Sequence, residues 1–341
     1  MPLLVLEILQ PLLIGAPVAL LVFWLRRPAS APLPRPSRRT AVAALAVVLL
    51  GPQLLGFALI ALLALFDPRK PWAPIGNFDS KWHPFAQYWV EEVPLADMKW
   101  RLIAPLAFAI IAVVVMLFAS RRTPTNGSAV LAPRTALTFA SRGWIVSGAL
   151  VLALVVLTAV TAGLTSVPAF DGKHKYVLID VGGTQLGIEV YGWYYSALPL
   201  LLLLVLLLLC WAALRRIAAR PLADAPEADA AVRRRQTFAV LSITTGALLV
   251  HLGLVWLDLA NTWSALGAGP LMEVSGPDVE GATSVFTTGP ALETPLRVMG
   301  HAASATGYAV WCYALASFAV SRRRAVEEPA AEEPSAAERK G

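Results

Sequence analysis

The sequence predicts an all-α membrane protein: a bundle of seven transmembrane helices with a small α+β cap on its extracytoplasmic side. Seven segments are apolar for long enough to cross a bilayer. Hydrophobic residues make up 57% of the chain and charged residues only 15%, whereas a soluble domain carries about 25% charged residues. Basic residues also gather on alternate connections between the segments, as they do in multi-pass membrane proteins.

The length of the apolar segments is what predicts the spans. A hydrocarbon layer of about 30 Å takes roughly 20 residues of helix. The first segment carries Glu7, Gln10, Pro11 and Pro17 and is the weakest of the seven, and without it the N-terminus would change side. The predicted spans are 3–25, 41–66, 102–120, 144–166, 192–214, 237–258 and 300–320.

The orientation follows from the distribution of arginine and lysine, which accumulate in cytoplasmic loops. Twenty of the 28 basic residues lie in 26–39, 121–142, 215–235 and 322–340, on one side of the predicted membrane. We therefore expect a plasma-membrane protein with its N-terminus outside and its C-terminus in the cytoplasm. The excess of basic residues is then a topology signal. We expect contact with the lipid bilayer and no nucleic-acid partner.

Two domains are predicted: a seven-span membrane domain over 1–324 and a disordered cytoplasmic tail over 325–341. The outer loops 67–101, 167–191 and 259–299, which connect spans 2–3, 4–5 and 6–7, are expected to form the cap. The alternation in 176–181 and 185–190 around Gly182 and Gly183 predicts a β-hairpin. Segments 271–274 and 283–288 offer a second hairpin, and the aromatic residues of the first loop favour a short helix.

Polar residues inside a membrane are costly, so each one suggests a functional hypothesis. Glu7, Gln10, His251 and His301 form a candidate polar cluster in the outer leaflet, and His251 with His301 could bind a metal or haem. The alternative is that the two histidines form interhelical hydrogen bonds or lie in the hydrated interface. The sequence favours this alternative, because it has no pair of histidines one helical turn apart. We predict no cofactor.

Motifs for catalysis are absent from the sequence. There is no phosphate-binding loop, no His-Glu-x-x-His zinc helix and no Gly-x-Ser-x-Gly elbow, and Ser147 lacks the glycine two residues before it. The two cysteines, Cys210 and Cys312, do not form a redox motif. No catalytic residue is therefore predicted, and the chain is expected not to be an enzyme.

Small residues at four-residue spacing predict close helix packing in spans 4 and 7. They are Ala159 with Gly163, Gly300 with Ser304, and Ala303 with Gly307. These faces could bind another membrane subunit. Trp311, near the middle of span 7, is expected to pack between helices.

The function we predict is that of a non-catalytic membrane subunit, associated with transport or with partner binding. One alternative is a solute transporter, for which Gln53 with the helix-breaking Pro52 and Pro105 would supply a polar path. The other is an extracytoplasmic haem- or metal-binding redox protein, which would need Glu7, His251 and His301 to converge. The bias towards 22 arginines over six lysines, with many alanines, hints at a bacterial source.

Overall fold

The computed structural model describes residues 2–26, 35–65, 100–119, 135–168, 172–181, 184–219, 226–267 and 290–327. Within these ranges every predicted apolar segment coincides with a helix. The helices are α1 (Pro2–Arg26), α2 (Arg35–Leu65), α3 (Trp100–Ala119), α4 (Arg142–Thr165), α5 (Trp193–Ala218), α6 (Pro226–Gly267) and α7 (Pro290–Glu327). The strands are β1 (Val167–Pro168), β2 (His174–Val181) and β3 (Thr184–Glu189).

Five of the described helices, α2 to α6, are long and apolar enough to cross a membrane, which is the composition of a membrane-embedded, multi-pass protein. Helix α1 has a shorter apolar stretch, Gln10–Leu25. Helix α7 is less apolar because Gly, Ala, Ser, Thr and Tyr stand where the other spans carry Leu. Most of its side chains between 300 and 318 are at least partly buried, since α1, α2 and α6 pack around it.

Contacts between helices establish their relative directions. Helices α1 and α7 run parallel, because Gly15 packs against Ala305 and, further along both helices, the rings of Phe23 and Tyr313 meet edge to face at 6.2 Å. The remaining directions follow from hydrogen bonds of Arg38 to Phe318, Arg216 to Leu117, His251 to Leu102 and Trp256 to Thr158. Successive helices therefore point in alternate directions.

This alternation places most of the described basic side chains at one end of the bundle. The end that we call the basic end holds Arg38, Arg39, Arg142, Arg215, Arg216, Arg233, Arg234 and Arg235. The other end, which we call the opposite end, holds Arg101, Lys173, Lys175 and Arg297. The structure thus has the two-ended charge distribution on which the orientation prediction rests.

Helix α6 forms the centre of the bundle. In its apolar segment, 83% of the residues are buried, against 22% in α4. It packs against α2, α3, α4, α5 and α7. The outward faces of α4 and α5 carry exposed leucines such as Leu150, Leu157, Leu204 and Leu208, as expected of surfaces that face lipid.

Helices α6 and α7 approach closely because glycine and serine line their interface. A Cβ added at Gly253 would lie 2.5 Å from the carbonyl oxygen of Gly300, and one added at Gly307 would lie 2.7 Å from that of Gly246. Ser304 is fully buried in this contact. The small-residue face predicted for span 7 is therefore covered by α6 of the same chain.

The small residues of span 4 are also used within the chain. Ala159 is buried beside Tyr191 and Tyr195, and a Cβ added at Gly163 would overlap the ring of Trp193. Ala159 and Gly163 therefore make contacts within the chain.

The predicted hairpin is confirmed at the opposite end. Strands β2 and β3 pair antiparallel, with Val177 opposite Ile188 and Ile179 opposite Leu186. Strand β1 adds to the other edge of β2. The sheet is attached to the bundle through Glu189, whose carboxylate accepts a hydrogen bond from the Tyr195 hydroxyl and whose carbonyl oxygen accepts one from Thr262.

Three of the predicted segment boundaries differ from the observed helix ends. Helix α6 continues to Gly267 and α7 begins at Pro290, so both ends of the predicted loop 259–299 are helical. Helix α7 also runs to Glu327, three residues into the predicted tail. Helices can project past the lipid into water, so apolar length sets only a lower limit on their extent. The first-loop helix, the second hairpin and the rest of the tail lie outside the described residues.

Candidate functional site

A hydrogen bond between Gln53 and Tyr308 links α2 to α7 inside the bundle. The Gln53 amide nitrogen donates to the Tyr308 hydroxyl oxygen at 2.6 Å. Both side chains are buried, with exposed fractions of 6% and 4%. Since this bond uses the amide nitrogen of Gln53 and the oxygen of Tyr308, it leaves the amide oxygen and the hydroxyl proton available to another group.

Two buried oxygens in this region have no hydrogen-bond partner among the residues that the structure describes. They are Oε1 of Gln53 and Oγ of Ser304. Leaving a buried polar atom unpaired costs about 1–3 kcal/mol, so such atoms in proteins usually face a water molecule or a ligand. Ser304 precedes Tyr308 by one helical turn, and the two therefore share a face of α7.

The residues that carry these atoms line one pocket. Its volume is about 440 Å³, including the part open to the outside. Five helices contribute: α1 supplies Pro11; α2 Pro52 and Gln53; α3 Trp100, Arg101, Ala104 and Pro105; α6 Val250 and Leu254; and α7 Ser304 and Tyr308. The pocket lies towards the opposite end, because Trp100 and Arg101 begin α3 there.

Prolines on three helices meet at this pocket: Pro11, Pro52 and Pro105. A proline inside a helix removes one N–H and leaves the carbonyl four residues earlier without its helical donor. In α2 and α3 these are the carbonyls of Val48 and Arg101. Proline breaks in membrane helices are tolerated where the backbone borders a cavity or water, which is the situation here.

The described part of the pocket lining carries one charged side chain. Arg101 supplies a charge at its mouth, and the described part of the lining contains no acidic side chain. Charge, amide and hydroxyl groups thus meet in a pocket that is otherwise apolar, which is the usual composition of a small-molecule site.

Three of the four polar residues singled out in the sequence, Gln10, His251 and His301, have side chains in the described part of the structure. His251 is buried, and its Nδ1 lies 2.8 Å from the carbonyl oxygen of Leu102 on α3. Gln10 is partly buried beside Pro11 of the pocket. Glu7 lies in α1, and its side chain is outside the described residues.

His301 lies nearer to the opposite end of the bundle than His251. Gly253 faces Ser304 across the α6–α7 contact, so His301 lies about one helical turn, roughly 5 Å, further towards the opposite end than His251. The Nδ1 atom of His301 is buried and has no hydrogen-bond partner in the described part of the chain. Among the described residues no group of three or more His, Cys, Asp or Glu side chains could hold a metal ion.

A second pocket, of about 250 Å³, lies at the basic end. Its lining residues are Met116, Leu117, Ala213, Arg216, Ile217, Gln236 and Val240. The Arg216 guanidinium already donates to the carbonyl oxygen of Leu117 at 2.9 Å. None of the unpartnered buried atoms found in the described residues belongs to this lining. The pocket at the opposite end is therefore the stronger candidate.

Sequence reasoning found part of this site and missed the rest. Gln53, Pro52 and Pro105 were identified as a possible polar path, and the structure brings all three to the pocket. Tyr308 and Arg101 were missed, because their roles depend on which helices are neighbours. The spacing of Ser304 and Tyr308 on one face of α7 was the available signal.

Comparison with known proteins does not assign a family to the chain. No protein-family model matches it, and no curated protein or solved structure matches it at a significant level. The function is therefore argued from the pocket and from the topology.

Proposed function

We propose that the chain crosses the plasma membrane of a bacterium seven times, with its N-terminus outside and its C-terminus in the cytoplasm. The alternating helix directions support an odd number of crossings, and the concentration of arginines at the basic end supports placing that end in the cytoplasm. Helix α7 is included as a span because neighbouring helices cover it, so that its weakly polar side chains need not face lipid.

The opposite end is then extracytoplasmic, and the three-stranded sheet forms part of the proposed cap. Its attachment to α5 and α6 through Glu189 supports a fixed position over the bundle. The other outer loops would complete the cap.

The proposed function is that of a non-catalytic, transport-associated protein that binds a small polar solute in the pocket of Gln53, Ser304 and Tyr308. The observation that carries the proposal is that Gln53 and Ser304, on different helices, line the same pocket, and that each holds a buried oxygen with no hydrogen-bond partner among the described residues. A solute that supplied their hydrogen bonds would remove the cost of burying them.

A transporter is the second candidate. Pro52 and Pro105 border the pocket, and transporters use broken helices at their binding sites. Transport adds one requirement to binding: the solute must also leave through the basic end. The redox alternative requires a bound metal or haem. An absorption spectrum and a metal analysis of the purified protein would test for one.

The test of the binding proposal is thermal unfolding of the purified full-length protein with a panel of small solutes: amino acids, hydroxy acids, sugars, polyols and amines. We expect at least one class to raise the unfolding midpoint of the wild type. The same class should fail to stabilise Gln53→Ala and Ser304→Ala.

Ser317→Ala is the matched control, because Ser317 is on the same helix and donates to the carbonyl oxygen of Tyr313. It should respond to the solute as the wild type does. A panel in which no class stabilises the wild type, or in which the pocket variants respond equally, would contradict the proposal.

A further inference from the structure

The pocket geometry points to a ligand class: a small carboxylate that carries a hydroxyl or amino group on the adjacent carbon. This inference rests on the proposed binding function. Its carboxylate would pair with Arg101 and with the hydroxyl proton of Tyr308. Its hydroxyl or amino group would donate to Gln53 Oε1, with Ser304 Oγ as a second partner.

The sign of the ligand charge follows from Arg101. A guanidinium stays protonated in proteins and its parallel N–H groups match the two oxygens of a carboxylate. The described lining offers no acidic side chain to attract a cation. An organic cation such as a simple amine would place like charges together at the mouth of the pocket, so an anion is favoured.

The need for a hydrogen-bond donor on the ligand follows from the donors and acceptors that Gln53 and Tyr308 leave unused. Because Gln53 Nε2 donates to Tyr308, the tyrosine must use its own proton elsewhere, and a carboxylate oxygen is a suitable acceptor. Gln53 Oε1 is an acceptor only, and it has no donor among the described residues. A ligand that satisfies both groups therefore presents an acceptor to Tyr308 and a donor to Gln53.

The size of the ligand follows from the spacing of these groups. Gln53 and Tyr308 are in direct contact, and Ser304 is one helical turn from Tyr308. The groups to be satisfied are thus a few ångströms apart. The pocket volume of about 440 Å³ includes open space and so is an upper limit. Both observations favour a ligand of about three carbons over a disaccharide or a nucleotide.

The experiment compares four probes of similar size by titration calorimetry on the purified full-length protein: lactate, alanine, propionate and 1-amino-2-propanol. Lactate or alanine should bind, and propionate, which lacks the donor, should bind at least about tenfold more weakly. The amine, which lacks the carboxylate, should not bind. Equal binding of propionate, or tight binding of the amine, would overturn the assignment.

Variants test the role of Arg101. Arg101→Gln should weaken lactate or alanine binding at least about tenfold, and Arg101→Lys should retain part of the affinity because it keeps the charge. Arg297→Gln is the control, since Arg297 is at the same end but pairs with Glu293. If Arg101→Gln bound lactate or alanine as tightly as the wild type, the assignment of a carboxylate ligand would be contradicted.

The outcomes separate this inference from the binding proposal. If a sugar or polyol binds the wild type but not Gln53→Ala, the pocket binds solutes and only the ligand class is wrong. If no probe and no member of the wider panel binds, both fail.

Discussion

The guanidinium of Arg233 on α6 closes the end of α5 by donating to the carbonyl oxygen of Ile217 at 3.2 Å. The neighbouring Ala218 carbonyl accepts a second bond from the same nitrogen at 3.3 Å, and Asp229, one turn earlier on α6, pairs with the charge at 2.6 Å. The last carbonyls of a helix have no partner within it. Arg233 supplies one while joining two successive spans at the basic end.

Replacing Arg233 by alanine should destabilise the bundle. The substitution would leave Asp229 without its buried partner and the α5 carbonyls without donors, which costs about 3 kcal/mol or more for a buried pair. We expect a lower thermal unfolding midpoint in detergent. Arg234→Ala removes a charge from the adjacent exposed position and should leave the midpoint near that of the wild type. Equal effects of the two substitutions would contradict this role.

The α6–α7 contact predicts intolerance of side chains at Gly253. Gly253→Leu would force the added atoms against Gly300 and Ser304, so we expect a large fall in the unfolding midpoint or loss of folded protein. Gly143→Leu is the matched control, because a Cβ there meets nothing within 4 Å. A well-folded Gly253→Leu protein would show that the two helices can separate, and that the pocket between them is less rigid than described.

The seven helices were predictable because apolar length is a local property of the sequence. The positions at which the helices begin and end were less predictable. Helix α6 starts at Pro226, with Glu227 and Asp229 in its first turn, and this combination is typical of a helix start. The signal lies in a polar region, so a search for long apolar segments does not detect it. The β2–β3 hairpin was predictable from alternation, but its attachment to Tyr195 and Thr262 depends on the tertiary fold.

The candidate site was also only partly predictable from the sequence. Gln53 and the two prolines were conspicuous in the sequence as costly residues in apolar spans. Nothing local in the sequence pairs Gln53 with Tyr308, which lies 255 residues later. Trp311 was expected to pack between helices, and this is confirmed, since it is fully buried and its indole nitrogen donates to the carbonyl oxygen of Ile243.

The attachment of the sheet can be tested at Tyr195. Tyr195→Phe removes the hydroxyl that donates to the Glu189 carboxylate, and a bond to a charged group is worth about 1.5–3 kcal/mol. We expect amide hydrogen exchange in 174–189 to become about tenfold faster or more. Tyr313→Phe, which removes a hydroxyl towards the basic end, should leave exchange in the sheet unchanged. No change in Tyr195→Phe would mean that other contacts hold the sheet in place.

The most direct test of the central claim, a solute-binding pocket open to the extracytoplasmic side, is thiol labelling of Leu254→Cys in intact cells, because Leu254 is a partly buried lining residue that takes no part in the proposed hydrogen bonds. The two native cysteines, Cys210 and Cys312, are first replaced by alanine. We expect a small, membrane-impermeant anionic thiol reagent added outside to modify the new cysteine, and a solute that binds the pocket to slow the reaction. Modification only when the cytoplasmic side is exposed to the reagent, or no modification from either side, would contradict the account.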